Sequence, residues 1–140
     1  MTLPSHLAKM RPQSFYRRQR DDYVDRELRF MHQQEMLKGN TETLLLALLE
    51  AEPMYGYQIV KEVEKRSSGY FAFKEGTLYP ALHRLERANL VEGAWQDTPN
   101  NVRRKYYRIT AKGTQALADR FKEWQRFAQA MNSIILPETT

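Results

Sequence analysis

The sequence predicts a mainly α-helical chain carrying one small β-hairpin. Three observations lead there. Apolar residues recur at helical spacing in five separate stretches. Residues 90–110 alone switch to a period of two, in two arms joined by a polar loop. Breakers such as Lys38-Gly39-Asn40, Pro53, Ser67-Ser68-Gly69 and Pro137 fall between the stretches. The 140 residues allow one domain with a moderate core.

Pro4 and Pro12, with little apolar pattern around them, predict a frayed tail over residues 1–11. From Ser14 to Leu37, Tyr16, Tyr23, Val24, Leu28 and Met31 recur near helical spacing, with charges between them. This extension helix is too poor in apolar residues to stand alone in water. Asn40 or Thr41 then caps a helix that buries Leu44, Leu45, Leu48 and Leu49. A further helix from Tyr57 to Arg66 buries Ile59, Val60 and Val63, and Phe71 and Phe73 lie in a linking segment. Leu78, Leu82 and Leu85 make one apolar face of the next helix. Leu90–Gln96 and Lys105–Thr110 read as strands joined by Asp97–Arg104. Thr110 caps a last helix from Ala111 to Ile135, with a stripe of Leu117, Phe121, Trp124, Phe127 (or Ala128) and Met131.

Three helices followed by a hairpin form the winged helix-turn-helix arrangement, in which the third helix enters a DNA major groove. The chain thus divides into a tail and extension helix over 1–35, a winged helix-turn-helix domain over 36–110, and a long C-terminal helix over 111–140. The third helix opens on Glu75–Glu86, EGTLYPALHRLE. With Thr77 as N-cap, Pro80 falls in the first turn, where N–H groups lack an intrahelical acceptor and a missing one costs little. Opposite the leucines stand Thr77, Tyr79, Pro80, His83, Arg84 and Arg87. Those groups suit base edges, thymine methyls and phosphates as well as water.

The formal charge of +5 fits a polyanionic partner without requiring one. No cysteine is present, which removes disulfides and thiolate–metal sites and fits a reducing cytoplasm. No signal peptide is expected at the N-terminus. The longest apolar run, Leu44–Leu49, is far short of the ~20 residues that span a bilayer. His6, His32 and His83 lack metal-ligand spacing, and no nucleophile motif or glycine-rich phosphate loop occurs. No metal, no cofactor and no enzymatic activity are therefore expected.

Three ordered segments carry a family resemblance. They are Pro53-x-Tyr55-Gly56-Tyr57-x-Ile59, Gly76-Thr77-Leu78-Tyr79-Pro80-x-Leu82-x-Arg84-Leu85-Glu86, and Arg104-Lys105-Tyr106-Tyr107-Arg108-Ile109-Thr110-x-x-Gly113, with Met36-Leu37-Lys38-Gly39 ahead of them. From Met36 to Ile135 the chain resembles the PadR-type transcriptional regulators. The resemblance implies a winged-helix DNA-binding homodimer, usually a repressor, whose C-terminal dimerisation helix packs on its partner. It also implies an inverted-repeat operator of double-stranded DNA and, in some members, release by a small aromatic or cationic effector near the dimer interface. The single helix after the wing looks like the smaller subgroup. Asn89 replaces the usual glycine before the first strand, and the wing tip reads Thr98-Pro99-Asn100-Asn101 where glycine is common.

On this footing the expected DNA-binding residues are Tyr55, Thr77, Tyr79, Pro80, Arg84, Arg103, Arg104 and Lys105. Arg103 and Arg104 suit phosphates, and Lys105 alternates with them and so points elsewhere or joins them. Tyr107 and Ile109 form the expected buried pair of the returning strand. Phe121, Trp124, Phe127 and Met131 are expected at an effector or dimer interface, with plain dimer packing as the simpler reading. Two other readings stand beside the regulator. One is a small-molecule sensor. The other is a winged-helix module that binds protein without reading an operator.

Overall fold

The computed structural model describes residues 13–138, with side chains from Asp25 onward. The expected tail, the side chains of Tyr16, Tyr23 and Val24, and those of Arg17, Arg18 and Arg20, the extension helix's cations suited to a wider DNA footprint, lie outside the described residues. The chain forms two compact units, Met1–Lys38 and Gly39–Thr140. The first contains helix α1 (Gln13–Leu37), on which Arg29 pairs with Asp25 one turn away at 2.7 Å.

The second unit runs α2 (Thr41–Ala51), β1 (Met54–Tyr55), α3 (Gly56–Arg66), α4 (Glu75–Arg87), β2 (Val91–Asp97), β3 (Arg103–Ile109) and α5 (Ala111–Ile135). The centre of its core is aliphatic, with Phe73 and Tyr107 buried beside it. Leu45, Leu46, Leu49, Ile59, Leu78, Leu82, Leu85 and Val91 are fully buried. Helix α2 packs against α3, α4, α5 and β3, so its apolar arc is wide. Leu46 is buried in it, while Leu44, expected inside, is only half-buried. Val60 is likewise half-buried.

The sheet differs from the sequence expectation in its strand number and in its hairpin loop. The sheet has three strands in the order β1-β3-β2, not two. Met54 pairs with Tyr107 and Tyr55 with Tyr106, antiparallel. A two-residue strand shows no alternation of its own, and β3 holds it in place. The hairpin loop is also shorter than expected, because Asp97 and Arg103 face each other as the last pair of the β2–β3 ladder. Within the loop, the Thr98 N–H and hydroxyl both donate to the Val102 carbonyl, and the Asn101 N–H donates to the Thr98 carbonyl.

Helix α4 starts earlier than expected. Lys74, not Thr77, is its N-cap, and the first regular bond runs from Leu78 N–H to the Lys74 carbonyl. Pro80 is thus the sixth helical residue. It removes a bond to the Gly76 carbonyl that an ordinary residue would make. Lysine has no side-chain acceptor with which to advertise a cap, so the sequence hides this start.

The other end of α4 follows the sequence closely. Asn89 adopts φ 61° before β2, a conformation asparagine tolerates better than most residues. The Thr110 hydroxyl accepts from Gly113 N–H at 3.0 Å and donates to the Asn89 carbonyl at 2.7 Å. Gly113 lies so close to the Leu90 carbonyl that a Cβ there would overlap it. These contacts fix α5 to the root of the hairpin.

Candidate nucleic-acid interface

Leu78, Ala81, Leu82 and Leu85 anchor α4 in the core. Gly76, Pro80, His83 and Arg87, spaced by four, three and four residues, therefore form its outward ridge, and all are exposed. Thr77 and Arg84 flank the ridge on one side, Tyr79 and Glu86 on the other.

Each flank is tied down. Tyr79 lies over Gly56, the first residue of α3, where a Cβ would collide with its hydroxyl. Absence of a side chain at Gly56 is what lets the phenol lie there. Glu86 accepts from Lys105 Nζ of β3 at 3.1 Å. On the other flank, Arg84 Nε donates to Glu42 at 2.8 Å.

Register divides the wing cations. Asp97, Arg103, Trp95, Lys105, Gly93 and Tyr107 share one face of the hairpin, while Arg104 and Tyr106 share the other. Lys105 is turned inward, with its side chain 26% exposed and its ammonium 5.3 Å from the Tyr107 ring centre. Burial raises the Tyr107 hydroxyl above its ordinary pKa, the Lys105 charge partly offsets this, and Glu86 and Tyr79 add to the rise. Tyr107 is buried as expected, and its expected companion Ile109 is half-buried. Arg103 remains outward, in a largely exposed pair with Asp97 at 3.2 Å. Such a pair contributes little and yields readily to a competing anion.

Arg104 lies over the Tyr55 ring at 4.4 Å. Tyr55 meets Tyr106 edge-on at 5.4 Å and stacks on Tyr57 at 6.5 Å, and Lys61 covers Tyr57 at 5.3 Å. The Tyr55 N–H donates to the Gln58 side chain at 3.1 Å, which secures the start of α3. An open groove of about 400 Å³ runs between α4 and the wing, lined by Tyr55, Gly56, Tyr79, His83, Trp95, Arg103, Arg104, Lys105 and Tyr107.

The structure thus gathers Tyr55, Tyr79, Arg103, Arg104 and Lys105 around one groove. Thr77 and Pro80 stand on the exposed side of α4, and Arg84 is engaged on its far flank. Sequence reasoning missed Trp95 as a groove residue, though its period-two register with Lys105 follows once the hairpin is aligned. It also missed Glu42, for which no local pattern exists.

On α5, Phe121, Trp124, Phe127 and Met131 are all exposed, and Ile134, Ile135 and Leu136 prolong the apolar surface. A shallow hollow of about 540 Å³ lies beside Trp124, with Gln125, Ala128, Gln129, Asn132, Ser133 and Leu136. Among the described residues no cluster of His, Asp or Glu could hold a metal ion. No helix there is long and apolar enough to cross a membrane.

The model of the family "Transcriptional regulator PadR-like family" matches residues 45–119. An uncharacterized protein of Lysinibacillus sphaericus is 35% identical over 94 residues, covering 67% of this chain and 86% of that protein. A transcriptional regulator structure from Clostridium thermocellum superposes with a TM-score of 0.68 at 30% identity, over 72% of this chain and 98% of that one. A PadR-like transcriptional regulator from Bacillus cereus strain ATCC 14579 gives 0.65 at 32% identity, over 74% and 99%. A PadR family regulator from Eggerthella lenta DSM 2243 gives 0.67 at 28% identity, over 84% and 96%.

Proposed function

The chain belongs to the PadR-like family of transcriptional regulators, which are not enzymes, and from that premise we propose that it is a sequence-specific DNA-binding repressor. The observation that carries this reading is the exposed ridge of α4 lying beside a cationic groove and wing. Thr77, Tyr79 and Pro80, with His83, meet base edges and thymine methyls in a major groove. Tyr55, Arg103 and Arg104 meet phosphates. Lys105 and Arg84 hold α4 between the wing and α2.

The protein acts as a homodimer in the cytoplasm. The apolar face of α5 is the dimer surface, and two-fold symmetry sets the two α4 helices about 34 Å apart on an inverted-repeat operator. Occupation of that operator blocks transcription. A small planar aromatic or cationic compound lodged against Phe121, Trp124, Phe127 and Met131 releases the DNA.

The test uses DNA that the protein recovers from sheared genomic fragments, with a mixed-sequence duplex as control. In fluorescence anisotropy, Tyr79→Ala weakens binding to the recovered site far more than to the control. Equal losses on both would remove the base-reading role. Arg103→Ala lowers the salt slope by about one on both DNAs. An unchanged slope would remove its phosphate contact.

A further inference from the structure

Two arginines from distant elements close on one carboxylate. Glu42 stands in the first turn of α2, where the helix dipole favours an anion. Its Oε1 accepts from Arg84 Nε of α4 at 2.8 Å, and its Oε2 from Arg120 Nη1 of α5 at 3.2 Å. The Glu42 side chain is 25% exposed, whereas that of Arg84 is 54% exposed. The carboxylate is thus fixed by two bonds, and the guanidinium beside it reaches solvent on the side of α4 that flanks the outward ridge.

Arg84 is four residues beyond Pro80 and one beyond His83, so a free guanidinium there would meet the backbone of any duplex seated on the ridge. Phosphate contacts of that kind add affinity to every sequence alike. We infer that Glu42 is a specificity-determining positioning residue: it withholds the Arg84 guanidinium from DNA phosphates, and Arg120 sets how firmly, because one carboxylate is divided between two cations. Non-specific affinity is thereby kept low without any change at the bases. Arg120 lies on the same helix as Phe121 and Trp124, so the firmness of the hold is sensitive to where α5 sits. This inference rests on the DNA-binding reading given above.

The experiment is a salt series from 50 to 200 mM with a mixed-sequence duplex, read by anisotropy on the full chain. Glu42→Gln keeps the shape and removes the charge. The slope of log affinity against log salt steepens by about 0.9, one added phosphate contact, so the affinity lost across the series grows by roughly 3.5-fold. The ratio of affinities for the recovered genomic site and the mixed duplex falls. Arg84→Gln alone keeps the wild-type slope, because that guanidinium is already engaged, and Arg120→Gln does not steepen it. The double variant Glu42→Gln/Arg84→Gln returns to the wild-type slope.

Three results overturn the inference. They are an unchanged slope in Glu42→Gln, a steeper slope that persists in the double variant, and a slope shallower by about one in Arg84→Gln. The Arg84→Gln arm decides even if Glu42→Gln folds poorly. A wild-type chain that binds no duplex at low salt would remove the DNA-binding reading itself, a result distinct from all of these.

Discussion

Replacing Gly56 with alanine tests the contact that seats Tyr79. Gly56 opens α3 without a left-handed φ, so the backbone accepts alanine as it stands. Alanine in place of glycine near a helix start gains up to ~1 kcal/mol. The new Cβ, however, would overlap the Tyr79 hydroxyl and stand 3.0 Å from Cζ and 3.2 Å from Cε1. Carbon atoms settle at about 3.5–4.0 Å, so the ring must swing outward, at an overpacking cost of about 1–3 kcal/mol. Gly56→Ala should therefore lower stability by ~0–3 kcal/mol in the wild-type background. With Tyr79→Ala already present, only the gain of up to ~1 kcal/mol remains. The sign of the effect reverses, and the coupling between the two sites is about 1–3 kcal/mol, as expected for residues in contact. Urea unfolding of the four proteins at one fixed chain concentration measures it, since association would otherwise shift the midpoints. The displaced ring should also cost Gly56→Ala much of the sequence preference that Tyr79→Ala loses. Effects that add to within ~0.5 kcal/mol would refute the proposed contact.

Three other outcomes are expected. Burial would raise the Glu42 carboxyl, but the hydrogen bonds and charges of Arg84 and Arg120 outweigh it and hold the group below its ordinary 4.5. The folded value is depressed, so the pair stabilises fully above the unfolded value and is lost as pH falls through the folded one. Wild-type stability should thus drop more steeply than that of Glu42→Gln in acid below about pH 4.5, and parallel curves would contradict this. Thr110→Ala removes one accepted and one donated bond at the start of α5. It should cost about 1–2 kcal/mol in chemical unfolding, with Thr110→Ser recovering most of it. Phe127→Glu places a charge on the bare apolar face of α5 and should shift sedimentation toward the monomer, whereas an unaltered dimer mass would argue for a different subunit contact.

Much of the fold was legible because it obeys local rules. The i, i+4, i+7 leucines of α4, the Thr110 cap and the left-handed Asn89 each follow from a few neighbouring residues. What escaped depends on partners far along the chain. Met54–Tyr55 becomes a strand only because Tyr106 and Tyr107 lie alongside. The start of α4 was misplaced by three residues, since Lys74 offers no capping oxygen and Pro80 reads as a beginning. The site shows the same division. The exposed side of α4 is legible from periodicity alone, as is the opposition of Arg104 to Arg103 and Lys105. The engagement of Arg84 by Glu42, 42 positions away, and of Arg120, 78 positions away, is not.

Pro80 has a consequence for how α4 meets anything placed against it. A residue without an amide hydrogen leaves Glu75–Tyr79 joined to the remainder by one strut fewer, while Ala81, Leu82 and Leu85 stay locked in the interior. The amides of Leu78 and Tyr79 should exchange with deuterium well before those of Leu82 and Leu85. Leu78 is itself rooted in the core, so only Glu75–Thr77 can re-aim by local melting at no expense to it, and the element is compliant at its very tip and stiff beyond.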